Sequence, residues 1–178
     1  MRLFVAINFN DDTKKELLAF IDELRCRCKR GRFSTPDNLH LTLAFLGECN
    51  LVQTATVKTV MDNTAFNPFP ISIERVGRFR RDGGDLWWAG VRESNLLVKL
   101  HGDLTNKLRA AGFTLDKRKF SPHITLGRGI IADVVPWTFA PFGETVKSIE
   151  LMKSERINDR LTYTAIYRKA YAKTISRK

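Results

Sequence analysis

Two segments of the 178-residue chain carry a histidine followed two positions later by a threonine. The first is His40-Leu41-Thr42-Leu43, and the second, His123-Ile124-Thr125-Leu126, lies 83 residues further along the chain. In a β-strand, residues i and i+2 project from the same face, so each imidazole would share a face with its hydroxyl. If the two strands line one cleft, the cleft holds two imidazoles and two hydroxyls and needs neither a carboxylate nor a thiol.

Two histidines on opposite sides of a phosphorus atom suit in-line displacement with acid–base catalysis. The unperturbed histidine pKa is about 6.5, so near neutral pH one ring can accept a proton while the other donates one. The hydroxyls of Thr42 and Thr125 can hydrogen-bond the non-bridging phosphoryl oxygens and stabilise the charge that grows there. The spacing therefore predicts phosphoryl transfer, with His40 and His123 as catalytic residues.

A single histidine on an apolar strand is more often a hydrogen-bonded core residue, and threonine is a common strand residue. The repetition of the pattern favours the catalytic interpretation for His40 and His123. The third histidine, His101, has Asp103 two positions later and lies within a predicted helix. We expect His101 to be a surface or half-buried residue without a role.

The alternation of apolar residues and the turn signals between them predict a series of short elements. In chain order these are a strand over Arg2–Phe9, a helix capped by Asp11 or Asp12 and reaching Gly31, a strand over Leu39–Leu46, a helix over Leu51–Ala65, strands over Phe69–Phe79 and Asp85–Val91, a helix capped by Asn95 and reaching Gly112, a strand over His123–Leu126, a loop around Pro136–Gly143, and strands over Val146–Met152 and Leu161–Tyr167.

Sliding the chain on itself by 83 residues superposes the two His-x-Thr segments and suggests an internal repeat. The same offset places Val5-Ala6 on Trp88-Ala89 and Asp12 on Asn95. The sequence predicts a bilobal α+β fold, with two pseudo-twofold-related β-α-β repeats, residues 2–47 and 85–130. Antiparallel sheets line a central cleft, and the helices lie outside. Residues 1–178 form a single domain on this interpretation.

Thirty Lys and Arg residues against 19 Asp and Glu give the chain a formal charge of +11. A surplus of this size suggests a polyanionic partner, with a nucleic acid first and an acidic membrane second. Apolar runs such as Leu3–Ile7 are too short to span a bilayer, and no signal-peptide pattern precedes them. The odd cysteine count (Cys26, Cys28 and Cys49) argues against a disulfide framework. We expect a cytoplasmic protein that does not bind membranes, with Cys26 and Cys28 as ordinary helix residues.

Seventeen of the basic residues are clustered, and two clusters precede the His-x-Thr strands, where they could guide a phosphate backbone. They are Arg25, Arg27, Lys29, Arg30 and Arg32; Arg75, Arg78, Arg80 and Arg81; Lys117, Arg118 and Lys119; and Arg168, Lys169, Lys173, Arg177 and Lys178. We expect the last group to be a solvated tail. Arg78–Arg81, beside a Gly-Gly turn, is a better candidate for substrate contact. Trp87 and Trp88 alternate faces of their strand, so at most one lines the cleft.

The segments Leu39–Gly47 and Phe120–Arg128 resemble the two signature segments of the 2H phosphoesterases. The most similar branch is the RNA 2′,3′-cyclic phosphodiesterases, often labelled 2′-5′ RNA ligases, and the segments around Arg2–Ile7 and Asp85–Val91 resemble that family too. Matched by position, His40 and His123 are the catalytic histidines, Thr42 and Thr125 bind the substrate phosphate, and Arg128 is the basic residue after the second motif. Phe33 departs from the pattern, because bacterial members often have Trp shortly before the first motif.

The resemblance implies an enzyme that hydrolyses RNA 2′,3′-cyclic phosphate ends to 2′-phosphates, without a metal or cofactor, and that could also catalyse reversible 2′-5′ ligation. Its partner is an RNA or oligonucleotide with a 2′,3′-cyclic phosphate end, and we expect it to act as a monomer. The resemblance favours His123 as the base and His40 as the acid, although a nearly symmetric site could run in either direction.

Three other functions differ in what they require of the sequence. A non-catalytic nucleotide- or RNA-binding module of the same fold would be served by Arg or Lys alone, so the intact His and Thr pairs argue against it. A metallohydrolase lacks ligand spacing such as H-x-H or H-E-x-x-H. An ATP-dependent ligase lacks a G-x-x-x-x-G-K-[ST] loop, so any ligation would have to reverse the cyclic-phosphate chemistry.

Overall fold

A computed structural model describes residues 1–171, so Lys173, Arg177 and Lys178 of the last basic cluster lie outside the described residues. The elements are β1 (Arg2–Asn8), α1 (Asp11–Cys26), β2 (Cys28–Phe33), β3 (His40–Glu48), α2 (Leu51–Asp62), β4 (Phe69–Pro70), β5 (Ile73–Phe79), β6 (Asp85–Val91), α3 (Asn95–Ala110), β7 (His123–Ala132), β8 (Trp137–Phe142), β9 (Thr145–Val146), β10 (Ser148–Ile157) and β11 (Arg160–Ala170), with a single 3₁₀ turn at Pro36–Asn38.

The strands form one antiparallel sheet in the order β11-β10-β1-β3-β7-β6-β5-β8, with β2 also paired to β7, and β4 and β9 form a small separate ribbon. The α+β class is therefore confirmed. The first four strands of this order and the last four meet where β3 lies beside β7, at the register pair of Leu41 with Ile124. The two predicted sheets are thus two parts of one hydrogen-bonded sheet.

Strand β1 is buried on both faces, which explains its almost continuous apolar sequence. Leu3, Val5 and Ile7 are at most 1% exposed and belong to the main core. On the opposite face, Phe4 and Ala6 form a second small core with Met152, against which Tyr163 packs. Strands β10 and β11 therefore extend the sheet and cover the first half of its other face.

The helices cross over between the two halves of the chain. Helix α1 carries a buried stripe of Leu17, Ile21 and Leu24 and contacts β7 and β2 of the sheet. Helix α3 carries Leu97, Leu100, Leu104 and Leu108 and contacts β3 and α2. Each helix thus supports the His-x-Thr strand of the other half. Among residues 1–171, no helix is both long and apolar enough to cross a membrane.

The prediction of a first helix reaching Gly31 was wrong, because α1 ends at Cys26 and the chain returns at once as β2. The last buried position of the helical stripe is Leu24, so nothing apolar holds a further turn. Gly31 instead lies against Ile130, where a Cβ atom would stand 2.6 Å from Cγ1. Cys28 is therefore a strand residue that pairs with β7, not a helix residue.

The loop predicted around Pro136–Gly143 is in fact β8, an edge strand beside β5. An edge strand tolerates proline because its outer N–H groups need no partner in the sheet. Trp137, Phe139 and Phe142 pack around Phe20 of α1, which provides the apolar contact that holds the strand.

The caps of the two long helices also differ from prediction. The side chain of Asn10 accepts a hydrogen bond from the Thr13 N–H, and that of Ser94 accepts one from the Leu97 N–H. An N-cap is the extended residue just before the first helical one, so each true cap precedes the predicted residue.

The predicted superposition of the first strands is off by one residue. Asn8 pairs with His40, and Gly90 pairs with His123, so Asn8 and Gly90 are structurally equivalent and 82 residues apart. The His-x-Thr segments themselves keep the offset of 83.

Candidate active site

The pairing of β3 with β7 brings the two His-x-Thr segments onto one surface. Leu41 and Ile124 are directly opposed, and residues opposed in an antiparallel pair project from the same face. Both are buried in the core, on the helix side. The residues on either side of each must therefore project from the other face, which carries the half-buried side chains of His40, Thr42, His123 and Thr125. We call this surface the histidine face.

A β-bulge follows the threonine of each segment. On β3, Thr42 pairs with Ala6 but Ala44 pairs with Val5, so Leu43 is an extra residue. A bulge shifts the alternation of side chains by one position. Phe45, the partner of Phe4, therefore returns to the histidine face, where its side chain is 58% exposed.

The second bulge lies at the equivalent position of β7. Thr125 pairs with Trp88, but Gly127 pairs with Trp87, so Leu126 is the extra residue. The shift turns Arg128 to the same face as Thr125, three positions earlier. Ser34 closes this bulge, because its N–H donates to the Leu126 carbonyl at 2.8 Å and its hydroxyl donates to the Thr125 carbonyl at 2.7 Å.

Backbone carbonyls fix both imidazoles in the same way. Nδ1 of His40 lies 2.8 Å from the Asn38 carbonyl oxygen, and Nδ1 of His123 lies 2.7 Å from that of Ser121. A carbonyl only accepts, so Nδ1 carries the proton and Nε2 of the neutral ring carries the lone pair. In His40, Nε2 lies 3.0 Å from the Thr42 hydroxyl, which then donates to it. Each ring thus keeps its second nitrogen for proton transfer.

Aromatic rings hold each imidazole from the side. The ring centroid of His40 lies 4.8 Å from that of Phe4 and 5.1 Å from that of Tyr163. The ring of His123 lies 5.4 Å from Phe79 and 6.3 Å from Trp88. Sequence reasoning missed Phe4, Phe79 and Tyr163, because the motif spacing carries no information about strands that are paired only in the folded sheet.

The prediction for the two adjacent tryptophans is confirmed. Trp87 is fully buried in the core, whereas Trp88 lies beside His123 on the histidine face. The indole of Trp88 lies flat across Gly77, where a Cβ atom would stand 2.3 Å from the ring. Glycine at this position therefore allows the ring to lie close to the sheet, and the guanidinium of Arg75 lies over the ring at 5.6 Å.

The surroundings of the two rings disfavour their charged forms. Burial lowers the pKa of His40 to about 4, against the raising effect of its bond to Asn38 and aided by the positive charges of Arg128 and His123. Burial also lowers the pKa of His123, again with Arg128 acting in the same direction. Both imidazoles are therefore neutral at pH 7 in the substrate-free protein, and Arg128 lies close enough to act on both.

This depressed pKa predicts a loss of stability in acid. The folded-state pKa of His40 lies below the unfolded value, so between about pH 6.5 and 4 the unfolded chain binds the proton more tightly. We expect the free energy of unfolding to fall with the pH through this window, with His40 contributing roughly 2 to 3 kcal/mol by about pH 4.5. Urea unfolding of the wild type and His40→Gln at pH 7 and at about pH 4.5 measures this. An equal loss in both proteins would contradict the assignment.

Arg78 does not lie on the histidine face, so its predicted contact with substrate was wrong. Its guanidinium bonds Asp85 at 3.0 Å and lies over the buried ring of Trp87 at 5.5 Å. It lines a cavity of about 490 Å³ on the helix side, together with Glu23 and Arg27 of α1. Burial of Trp87 on that side of β6 carries its neighbour Arg78 with it.

His101 has the half-buried position expected of it, in α3, where its ring stacks on Phe120 at 3.8 Å between centroids. A second cavity of about 490 Å³ lies between α2, α3 and the end of β11, away from the histidines. Within the described chain, no three His, Cys, Asp or Glu side chains lie together as a metal site would require.

Comparison with known proteins agrees with the fold and the paired motifs. The model of the 2′-5′ RNA ligase superfamily matches residues 13–158, and the chain belongs to this superfamily. The family resemblance is therefore confirmed. An RNA 2′,3′-cyclic phosphodiesterase of Archaeoglobus fulgidus is 35% identical over 162 residues, which cover 86% of this chain and 91% of the relative. Another, from Thermotoga maritima, is 34% identical over 131 residues, covering 72% and 70%.

Solved structures share nearly the whole fold. The TT0787 protein of Thermus thermophilus aligns with a TM-score of 0.83 at 25% identity, over 96% of this chain and 97% of the other. Escherichia coli LigT in complex with 3′-AMP aligns with a TM-score of 0.84 at 26% identity, over 97% and 98%.

Proposed function

We propose that this protein hydrolyses 2′,3′-cyclic phosphate ends of RNA to 2′-phosphates. The observation that carries the proposal is the convergence of His40 and His123 on one face, with Nδ1 of each ring bound to a carbonyl and Nε2 left for proton transfer. The activity named for the relatives supports the same chemistry.

In the proposed reaction a water molecule attacks phosphorus opposite the 3′ oxygen. His123 accepts a proton from the water, and His40 donates a proton to the 3′ oxygen as its bond to phosphorus breaks. The products are a 2′-phosphate and a free 3′-hydroxyl. Thr42 and Thr125 donate hydrogen bonds to the non-bridging oxygens, and the guanidinium of Arg128 offsets their charge. No step in this scheme calls for a metal or a cofactor.

The acid must gain its proton together with the substrate, because both rings are neutral in the free protein. An anionic phosphate between the rings raises both pKa values and opposes the effect of Arg128. The lower pKa of His40 favours the opposite assignment, with His40 as base, so the two roles require a direct test.

The same site can run ligation. If the 5′-hydroxyl of a second RNA replaces water, attack on phosphorus with departure of the 3′ oxygen produces a 2′-5′ phosphodiester, and the reverse reaction regenerates the cyclic phosphate. ATP is not consumed, because the energy of the strained cyclic phosphate drives bond formation. One chain supplies both histidines and both threonines, so a monomer suffices.

We also propose that residues 2–47 and 85–130 are pseudo-twofold-related repeats within a single domain. Supporting this, the opposed residues Leu41 and Ile124 are themselves 83 apart, as are the bulged residues Leu43 and Leu126 and the carbonyls of Asn38 and Ser121 that orient the histidines. The crossed packing of α1 and α3 supports one folding unit.

The test is incubation of the protein with an RNA that ends in a 2′,3′-cyclic phosphate, in the presence of EDTA, with the products followed by phosphorus NMR. We expect turnover to a 2′-phosphate that EDTA does not diminish. A 3′-phosphate product would overturn the assigned leaving group. Binding without turnover would indicate a recognition module, and loss of activity in EDTA would indicate a metal-dependent hydrolase.

A further inference from the structure

Two arginines face each other across neighbouring strands beside the proposed catalytic site. Arg32 of β2 is the direct register partner of Arg128 of β7. Side chains opposed in this way project from the same face with their Cβ atoms about 4.5 to 5.5 Å apart, and like charges so placed destabilise a sheet. The arginine ion pairs among residues 1–171 all involve other arginines. The charge of this pair is therefore uncompensated within the described chain.

The neighbour of Arg32 shows which way its side chain projects. Phe33 pairs with Gly127 and packs on the main core, and the guanidinium of Arg25 from α1 lies over its ring at 5.1 Å. Since Phe33 projects toward the helices, Arg32 projects to the opposite side, onto the histidine face. The bulge at Leu126 turns Arg128 to that same side, so both arginines belong to one surface.

We propose that Arg32 binds the internucleotide phosphate next to the terminal cyclic phosphate of an RNA substrate, while Arg128 and the two threonines bind the terminal phosphate itself. This inference rests on the proposed function of the site. Guanidinium groups form strong charge-assisted hydrogen bonds with phosphate oxygens, and two adjacent phosphates would relieve the repulsion between Arg32 and Arg128. A cyclic mononucleotide has no second phosphate, so Arg32 makes the site selective for RNA ends.

The strand offers a matched control in Arg30. It lies two positions before Arg32 and carries the same charge, but its guanidinium already donates to the Gly83 carbonyl at 2.9 Å. Replacing either arginine by glutamine removes one positive charge from β2. A difference between the two variants therefore reports position on the strand and not net charge.

The experiment compares wild type, Arg32→Gln, Arg32→Lys and Arg30→Gln on 2′,3′-cyclic AMP and on a short oligoribonucleotide with a cyclic phosphate end. For Arg32→Gln we expect KM for the oligonucleotide to rise about tenfold, the loss of one charged hydrogen bond, with unchanged kinetics on cyclic AMP. The slope of log KM against log salt should fall by about 0.7, the value for one contact to a single strand. Arg32→Lys should restore part of the affinity, and Arg30→Gln should behave as wild type.

A binding arm separates this inference from the proposed function. Fluorescence anisotropy with an oligoribonucleotide ending in a 2′-phosphate measures affinity without turnover, and Arg32→Gln should weaken it about tenfold even in a protein that proves inactive. Equal loss on both kinetic substrates, or no loss in either arm, would overturn the assignment of Arg32. Absence of turnover by wild type with intact binding would overturn the proposed function alone.

Discussion

Replacing His40 or His123 with alanine should lower kcat on a cyclic phosphate end by about 10²- to 10⁴-fold, the usual effect of removing a positioned general acid or base. The two rings act on the same phosphorus atom, so the double variant should lose little more than either single variant. Single-turnover kinetics of the three variants measures this. Retention of more than a tenth of wild-type kcat by either single variant would contradict paired catalysis.

His101→Phe is the matched control, because it removes an imidazole outside the site while preserving the stacked ring on Phe120. It should keep wild-type kcat. A cyclic substrate with sulfur at the 3′ position assigns the roles, since a thiolate leaves without a proton. If His40 is the acid, this substrate restores activity to His40→Ala but not to His123→Ala. The opposite rescue would exchange the roles.

Replacing Arg128 with glutamine should lower kcat by about 10²-fold, as expected for a lost donor to a developing oxyanion. The same change should raise the pKa of both histidines, because the positive charge of Arg128 lowers both in the wild type. The acidic limb of the kcat/KM profile should therefore move to higher pH. A pH–rate profile of wild type and Arg128→Gln measures both effects, and an unchanged profile with unchanged kcat would remove Arg128 from the site.

Much of the fold followed from local pattern. Strand β6 matched its predicted bounds, and the His-x-Thr strands were predicted from alternation and from the turns before them. Strand β2 was missed because its sequence is dominated by charged residues, and it forms only because its backbone pairs with β7. Strand β8 was missed because two prolines mask it, and it holds because its aromatic side chains pack on Phe20.

The site was partly predictable for a related reason. The i, i+2 spacing puts each histidine beside its threonine whatever the rest of the chain does, and the offset of 83 paired the two segments. The bulges are set by strand register, which the sequence does not state, so the direction of Arg128 could not be derived from its position alone. Tyr163 reaches His40 from β11, a strand far away in the chain.

The two bulges leave the site unequal in one respect. An antiparallel strand pair has a local twofold axis at each directly opposed residue pair, here between Leu41 and Ile124. That axis relates the histidines and the threonines, but it relates Arg128, a cation, to Phe45, an exposed aromatic ring. A nucleotide end could enter in two orientations, and only one places its anionic group against the guanidinium. The pair Phe45 and Arg128 thus gives the site a polarity, which fixes which histidine faces the leaving oxygen.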